Sequence, residues 1–145
     1  MKFRLIIDKT KDEEIVATVH GRSSLTDQIE ALVLQHQGAD CITVYSEDEI
    51  KTLSFTEIEC ITVIDGKTFV IDKNAEKFRV RLRLYEIEEM LPSYFIKINK
   101  STIANEKQIA KFSATFSGAV DAVFKCGYKE YVSRRCFSEI KRRFL

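Results

Sequence analysis

The stretch EKFRVRLRLYEIEEMLPSYFIKINKSTIAN, residues 76–105, changes its hydrophobic period twice, and those changes decide the fold. Over residues 76–82, Phe78, Val80 and Leu82 alternate with Lys77, Arg79 and Arg81. A period of two is that of a strand with one buried face. Leu84, Ile87, Met90 and Leu91 then fall on one helical face, and Pro92, which cannot continue a helix, ends it. FIKI and IAN follow as two strands around the polar turn Asn99-Lys100-Ser101-Thr102. Short helices set among strands and tight turns make a mainly β chain of the α+β class.

The same pattern extends outward. Upstream, residues 41–45 read as a strand, SEDEIKT (46–52) as a charged turn, and residues 53–58 lead into a strand at 60–64. Asp65-Gly66 is a hairpin signal, because both central positions of the tightest hairpin turn need positive φ. Residues 68–71 pair back, and 72–75 turn again. Downstream, residues 108–116 and 119–126 flank Ser117-Gly118 as a hairpin, and 128–132 form a last strand. Ser133 is placed to cap a terminal helix carrying Phe137, Ile140 and Phe144 on one face. The first 39 residues read as a small β-β-α unit. Its strands lie at 2–8 and 14–20, around the charged KTKDEE, and its helix is capped by Ser24 and stopped by Gly38. The expected boundary falls near Gly38 to Asp40, giving units 1–39 and 40–145.

With 145 residues and 45% apolar content, the chain can bury a core without disulfides or metals. Its apolar runs are far shorter than the roughly 20 residues that cross a bilayer. MKFRLIID meets an acidic residue too early for a signal peptide, so a cytoplasmic protein is expected. The four cysteines form no CxxC pair, and His20 and His36 lie far from them, a spacing that argues against zinc. Cys41, Cys60 and Cys126 sit among apolar residues as small core fillers. No phosphate loop, dinucleotide fingerprint, HExxH or nucleophile elbow is present. The expectation is a protein that is not an enzyme and uses no metal and no cofactor.

The net charge of +1 hides a gradient: −5 over residues 1–50, −1 over 51–90 and +7 over 91–145. Such asymmetry points to a nucleic-acid or other anionic partner. Within the basic part, Lys100 can neutralise a phosphate or donate to guanine, Ser101 and Thr102 can donate to phosphate, and Asn99 can pair with a base edge. Arg134 and Arg135 follow Ser133 at a helix start, where cations oppose the helix dipole. A bound phosphate removes that conflict. Lys67, in the Asp65–Thr68 hairpin, is a third candidate.

Three separated motifs, DGKTFV (65–70), RLRLYEIEEMLPSYFIKINKSTIAN (81–105) and YVSRRCFSEIKR (131–142), resemble the LytTR DNA-binding domain of bacterial transcription regulators. The likeness covers roughly residues 45–145, and the N-terminal unit resembles the β-β-α extension of stand-alone members. The resemblance implies an elongated, mostly β fold whose loops enter successive major grooves of double-stranded DNA at direct repeats. It implies base reading by Lys100 and Arg135 and a hairpin contact from Lys67 or Thr68. Arg134, Asn99, Ser101 and Lys97 would support through phosphate. Where many members carry His or Ser before the central basic residue, this chain has Asn99, a departure that implies a different base preference. Residues 1–44 are too few for a phosphorylatable receiver, so control through a protein partner, a membrane protein among the candidates, or through a homodimer is expected. The competing reading is a protein-interaction module that uses the acidic N-terminal unit. A small-molecule sensor or enzyme would need an apolar pocket with convergent polar groups, which the sequence does not suggest.

Overall fold

The computed structural model describes residues 1–36 and 40–144. The chain divides into two compact units, Met1–His36 and Gln37–Leu145.

In the first unit the helix α1 runs Ser24–His36. Its cap is Ser23, one residue earlier than the sequence suggests: Thr26 N–H donates to Ser23 Oγ (3.4 Å), while Ser23 N–H donates to Thr26 Oγ1 (2.8 Å). Arg22 pairs with Glu30 (3.0 Å) and Asp27 (3.4 Å). Gly38, the expected stop, lies outside the described residues. The strands expected at 2–8 and 14–20 are not formed, which corrects the β-β-α reading. The turn between them is present: the Asp8 carboxylate accepts from Thr10 N–H (2.9 Å) and Thr10 Oγ1–H (2.6 Å). The arms, however, carry Phe3, Ile7 and Val16 exposed. β-branched content favours a strand only where it is paired and half buried, and a lone hairpin is marginal in water.

Among its described residues the second unit holds ten strands: β1 Cys41–Tyr45, β2 Ile50–Ser54, β3 Ile58–Ile64, β4 Lys67–Asp72, β5 Lys77–Val80, β6 Phe95–Asn99, β7 Thr102–Asn105, β8 Ile109–Ala114, β9 Val120–Phe124 and β10 Lys129–Val132. The helices are α2 Leu84–Met90 and α3 Arg134–Phe144. The mainly β, short-helix class is therefore the observed one. One boundary differs from the sequence reading. SEDEIKT is only partly a turn: Ile50 begins β2, held because residues 50–54 pair with all of β1.

Seven strands form one sheet, in the order β2-β1-β5-β4-β3-β7-β6, and three form another, β10-β9-β8. The central strands are buried on both faces. Ile58, Ile61, Val70, Val80 and Ile87 of α2 belong to one apolar cluster. Cys60, Ile71 and Ile98 join Ala122, Phe124, Val132 and Ile140 in the other, which ties the small sheet and α3 to the large sheet. This is why β3 reads as an almost continuous apolar run rather than an alternation. A bulge between Ile58 and Cys60 lets Ile58 and Ile61 share a face. Glu59, buried beside this core, accepts a hydrogen bond from Cys126 N–H (2.9 Å) and so ties β3 to the β9–β10 turn.

Candidate nucleic-acid interface

Strand registers bring a set of turns to one end of the two sheets. Ile64 faces Lys67 across Asp65-Gly66, whose φ values of 52° and 75° are those of the tight hairpin turn. Thr68 faces Val80, so Arg81, the next residue, leaves β5 beside Lys67. Thr62 faces Thr102, and Val63 N–H donates to the Ser101 carbonyl (2.9 Å), which sets the Asn99–Thr102 turn beside the same hairpin. Ser133 N–H donates to the Ile98 carbonyl (2.9 Å), which brings the start of α3 against the end of β6. Val132 and Ala114 both face Val120, so the β8–β9 turn lies at this end too. Tyr45 faces both Arg79 and Ile50, which adds the acidic turn 46–49 at the outer margin.

Lys67, Lys100, Arg134 and Arg135 are all exposed on this rim. Arg135 lies 3.8 Å from Glu139, but both side chains are well exposed, so the pair holds it weakly. Ser133 caps α3 as its position in the sequence suggests: Cys136 N–H donates to Ser133 Oγ (3.2 Å). No acidic residue occupies the first turn of α3, and Arg134 and Arg135 stand there instead. That end therefore pairs unshared N–H groups with two guanidinium groups, an arrangement suited to an anion.

Three candidates from the sequence are out of reach. Asn99 is 1% exposed, and both ends of its amide are engaged: Nδ2 donates to the Tyr131 carbonyl (2.8 Å), and Oδ1 accepts from Ser101 N–H (2.8 Å). It fixes the turn that presents Lys100. Thr68 is likewise buried within the ladder. Thr102, a further phosphate candidate, is buried with its hydroxyl 2.8 Å from that of Thr62. Ser101 is half-buried, and its backbone bonds both Asn99 and Val63. Lys97 is exposed on β6, opposite Ile103 and short of the strand end. Asn105, which the sequence motif also contains, is structural: its amide donates to the Ile58 carbonyl (3.0 Å) and accepts from Lys107 N–H (3.0 Å).

Sequence reasoning missed Arg81. Its outward parity on the strand was visible, but its place on the rim follows only from the β4–β5 register. The guanidinium lies over the Tyr45 ring at 4.2 Å, a contact that helps to hold it.

Among the described residues no helix is long and apolar enough to cross a membrane. The thiol of Cys60 is buried, and burial pushes its ionisation well above the ordinary range. It is a core filler, as its neighbours in the sequence suggest.

Comparisons with known proteins agree with this fold. Residues 48–145 match the family described as the LytTr DNA-binding domain. Proteins of Staphylococcus aureus strains MSSA476 and NCTC 8325 / PS 47, both named as uncharacterized HTH-type transcriptional regulators, are 30% identical over 146 residues, covering 99% of this chain and 97% of theirs. A solved LytTr DNA-binding domain from Bacillus cereus superposes with a TM-score of 0.66 at 21% identity, covering 74% of this chain and 98% of that one. Despite the relatives' name, no two described helices of this chain follow one another directly, since strands separate α1, α2 and α3. From the match over residues 48–145, together with the full-length likeness to the Staphylococcus relatives, it follows that this chain belongs to the LytTr DNA-binding domain family.

Proposed function

We propose that the chain is a cytoplasmic, sequence-specific transcription regulator that grips double-stranded DNA with the turns of its basic rim. The observation that carries this reading is the convergence of Lys67, Lys100, Arg134 and Arg135, distant in sequence, at one end of the strands. In this reading the turns of the rim enter successive major grooves. Lys100 and Arg135 are the base readers in this reading, with Lys67, Arg81 and Arg134 on phosphates and Lys97 and Ser101 in support. Direct repeats are the matching target, because one rim meets each repeat in the same orientation.

A second role is favoured by a specific observation. Phe3, Leu5, Ile7, Ile15 and Val16 of the N-terminal unit are exposed, an apolar set that water does not favour. We assign that unit to association, either with a second copy or with a regulatory protein.

Footprinting of the purified chain on its own promoter tests the proposal. Protection of two repeats at low salt is expected, and Arg135→Ala should cost about 1–3 kcal/mol and relax specificity at one base. No protection at low salt would overturn the reading, and a wild-type pattern from Arg135→Ala would remove that residue from it.

A further inference from the structure

Phe116 has no role in the fold. It stands at the tip of the β8–β9 hairpin with its side chain wholly exposed. The turn beneath it is built without it: Gly118 N–H donates to the Thr115 carbonyl (3.0 Å), Thr115 N–H donates to the Ala119 carbonyl (2.8 Å), and the hydroxyls of Thr115 and Ser117 lie 2.9 Å apart. Gly118 takes the left-handed position with φ of 83°. The second position of such a turn accepts most residues, so no local rule asks for an aromatic ring there. A phenylalanine wholly in water on a well-bonded turn is free to pack against a partner.

The register places that tip on the rim. Ala114 and Val132 both face Val120, so the tip projects from the same rim as the start of α3. Between the two lies a notch of about 320 Å³, lined on one side by Gly118 and Val120 and on the other by Arg134 and Ser138. Anything that Arg134 holds at the mouth of this notch is within reach of the hairpin. A ring on a hydroxyl-bearing turn, across a notch from Arg134, suits a duplex, where charged phosphates alternate with apolar sugar edges and base steps. Apolar side chains wedged between base steps, as in minor-groove architectural proteins, partly unstack a step and bend the duplex.

We propose that Phe116 is a DNA-contacting residue. It packs against the duplex beside the phosphate taken by Arg134, and it contributes to bending. The inference rests on the rim being the DNA surface, and its test separates the two claims. The probe is the footprinted promoter duplex carrying a fluorophore at each end, titrated with the full chain over a range of salt. Phe116→Ala should bind about tenfold more weakly, in keeping with the loss of one buried aromatic contact. It should show less end-to-end shortening of the duplex and an unchanged melting temperature. The salt slope should stay at the wild-type value, because an apolar contact displaces no counterion. Phe116→Leu should recover part of both affinity and bending. Equal affinity and bending for wild type and Phe116→Ala would overturn the inference while leaving the rim in place. Failure of the wild type to bind would overturn both. Sedimentation without DNA closes the remaining route: if wild type is dimeric and Phe116→Ala monomeric, the ring's partner is a second copy, and the proposal is wrong.

Discussion

Replacing Asn99 by alanine separates a base-reading residue from a structural one. The side chain is 1% exposed and makes two bonds of 2.8 Å, one to the Tyr131 carbonyl on β10 and one from Ser101 N–H in the turn. Alanine removes both and leaves a part-buried carbonyl and amide without these partners. Each net hydrogen bond is worth about 1 kcal/mol, and a part-buried orphaned partner adds to the loss, so about 2–3 kcal/mol is expected. For a chain of this length that is a fall of roughly 6–12 °C in melting temperature. Asn99→Asp should be hardly better, because a carboxylate still accepts from Ser101 but cannot donate to Tyr131. Differential scanning calorimetry reads the melting temperature, and fluorescence anisotropy on the promoter duplex reads affinity. A base-reading Asn99 would leave the melting temperature unchanged and cut affinity for the cognate sequence alone. A wild-type melting temperature for Asn99→Ala refutes the structural account.

Two further outcomes follow from the same geometry. Ser133→Ala removes the cap of α3 and should cost about 1 kcal/mol in urea unfolding. It should also weaken DNA binding through misplaced Arg134 and Arg135, whereas unaltered stability would mean that Ser133 does not cap in solution. Burial, and then the Glu130 charge and hydrogen bond, push the ionisation of Tyr128 above its ordinary value. The native state thus keeps this proton to higher pH than the unfolded chain does, and the stability it contributes is complete below the ordinary tyrosine value of about 10 and lost as pH rises past it. Urea midpoints taken at about pH 9 and about pH 11, either side of that value, should fall more for wild type than for Tyr128→Phe, and parallel declines would contradict the assignment.

Much of the fold was legible because the periods were clean. The alternation in residues 76–82, the helical spacing of Leu84, Ile87 and Met90, Pro92 and Asp65-Gly66 each carry a local physical cause, and the strands and α2 lie where those signals put them. Failures came where an outcome depended on a partner. Residues 2–8 and 14–20 have strand composition but no strand to pair with, so propensity alone misled. Ile50 lies in a run of charged residues yet joins β2, because β1 is there to receive it. At the rim, the exposed positions of Lys67, Lys100, Arg134 and Arg135 were legible from charge and turn position. Asn99, Thr68 and Thr102 were not, because a polar side chain in a turn looks the same in sequence whether it faces water or closes a buried bond. Arg81 needed the register that sets Val80 opposite Thr68.

The rim itself is tested most directly by comparing cations at the two ends of the strands. Lys73, Lys125 and Lys129 lie at the end away from the rim, around the β4–β5 and β9–β10 turns. Measured as log affinity against log salt on the promoter duplex, alanine at Lys67, Lys100, Arg134 or Arg135 should each lower the slope by about one. Alanine at Lys73, Lys125 or Lys129 should leave it at the wild-type value. Equal loss at both ends, or a slope that responds only to the far lysines, would contradict a DNA surface made of the rim turns.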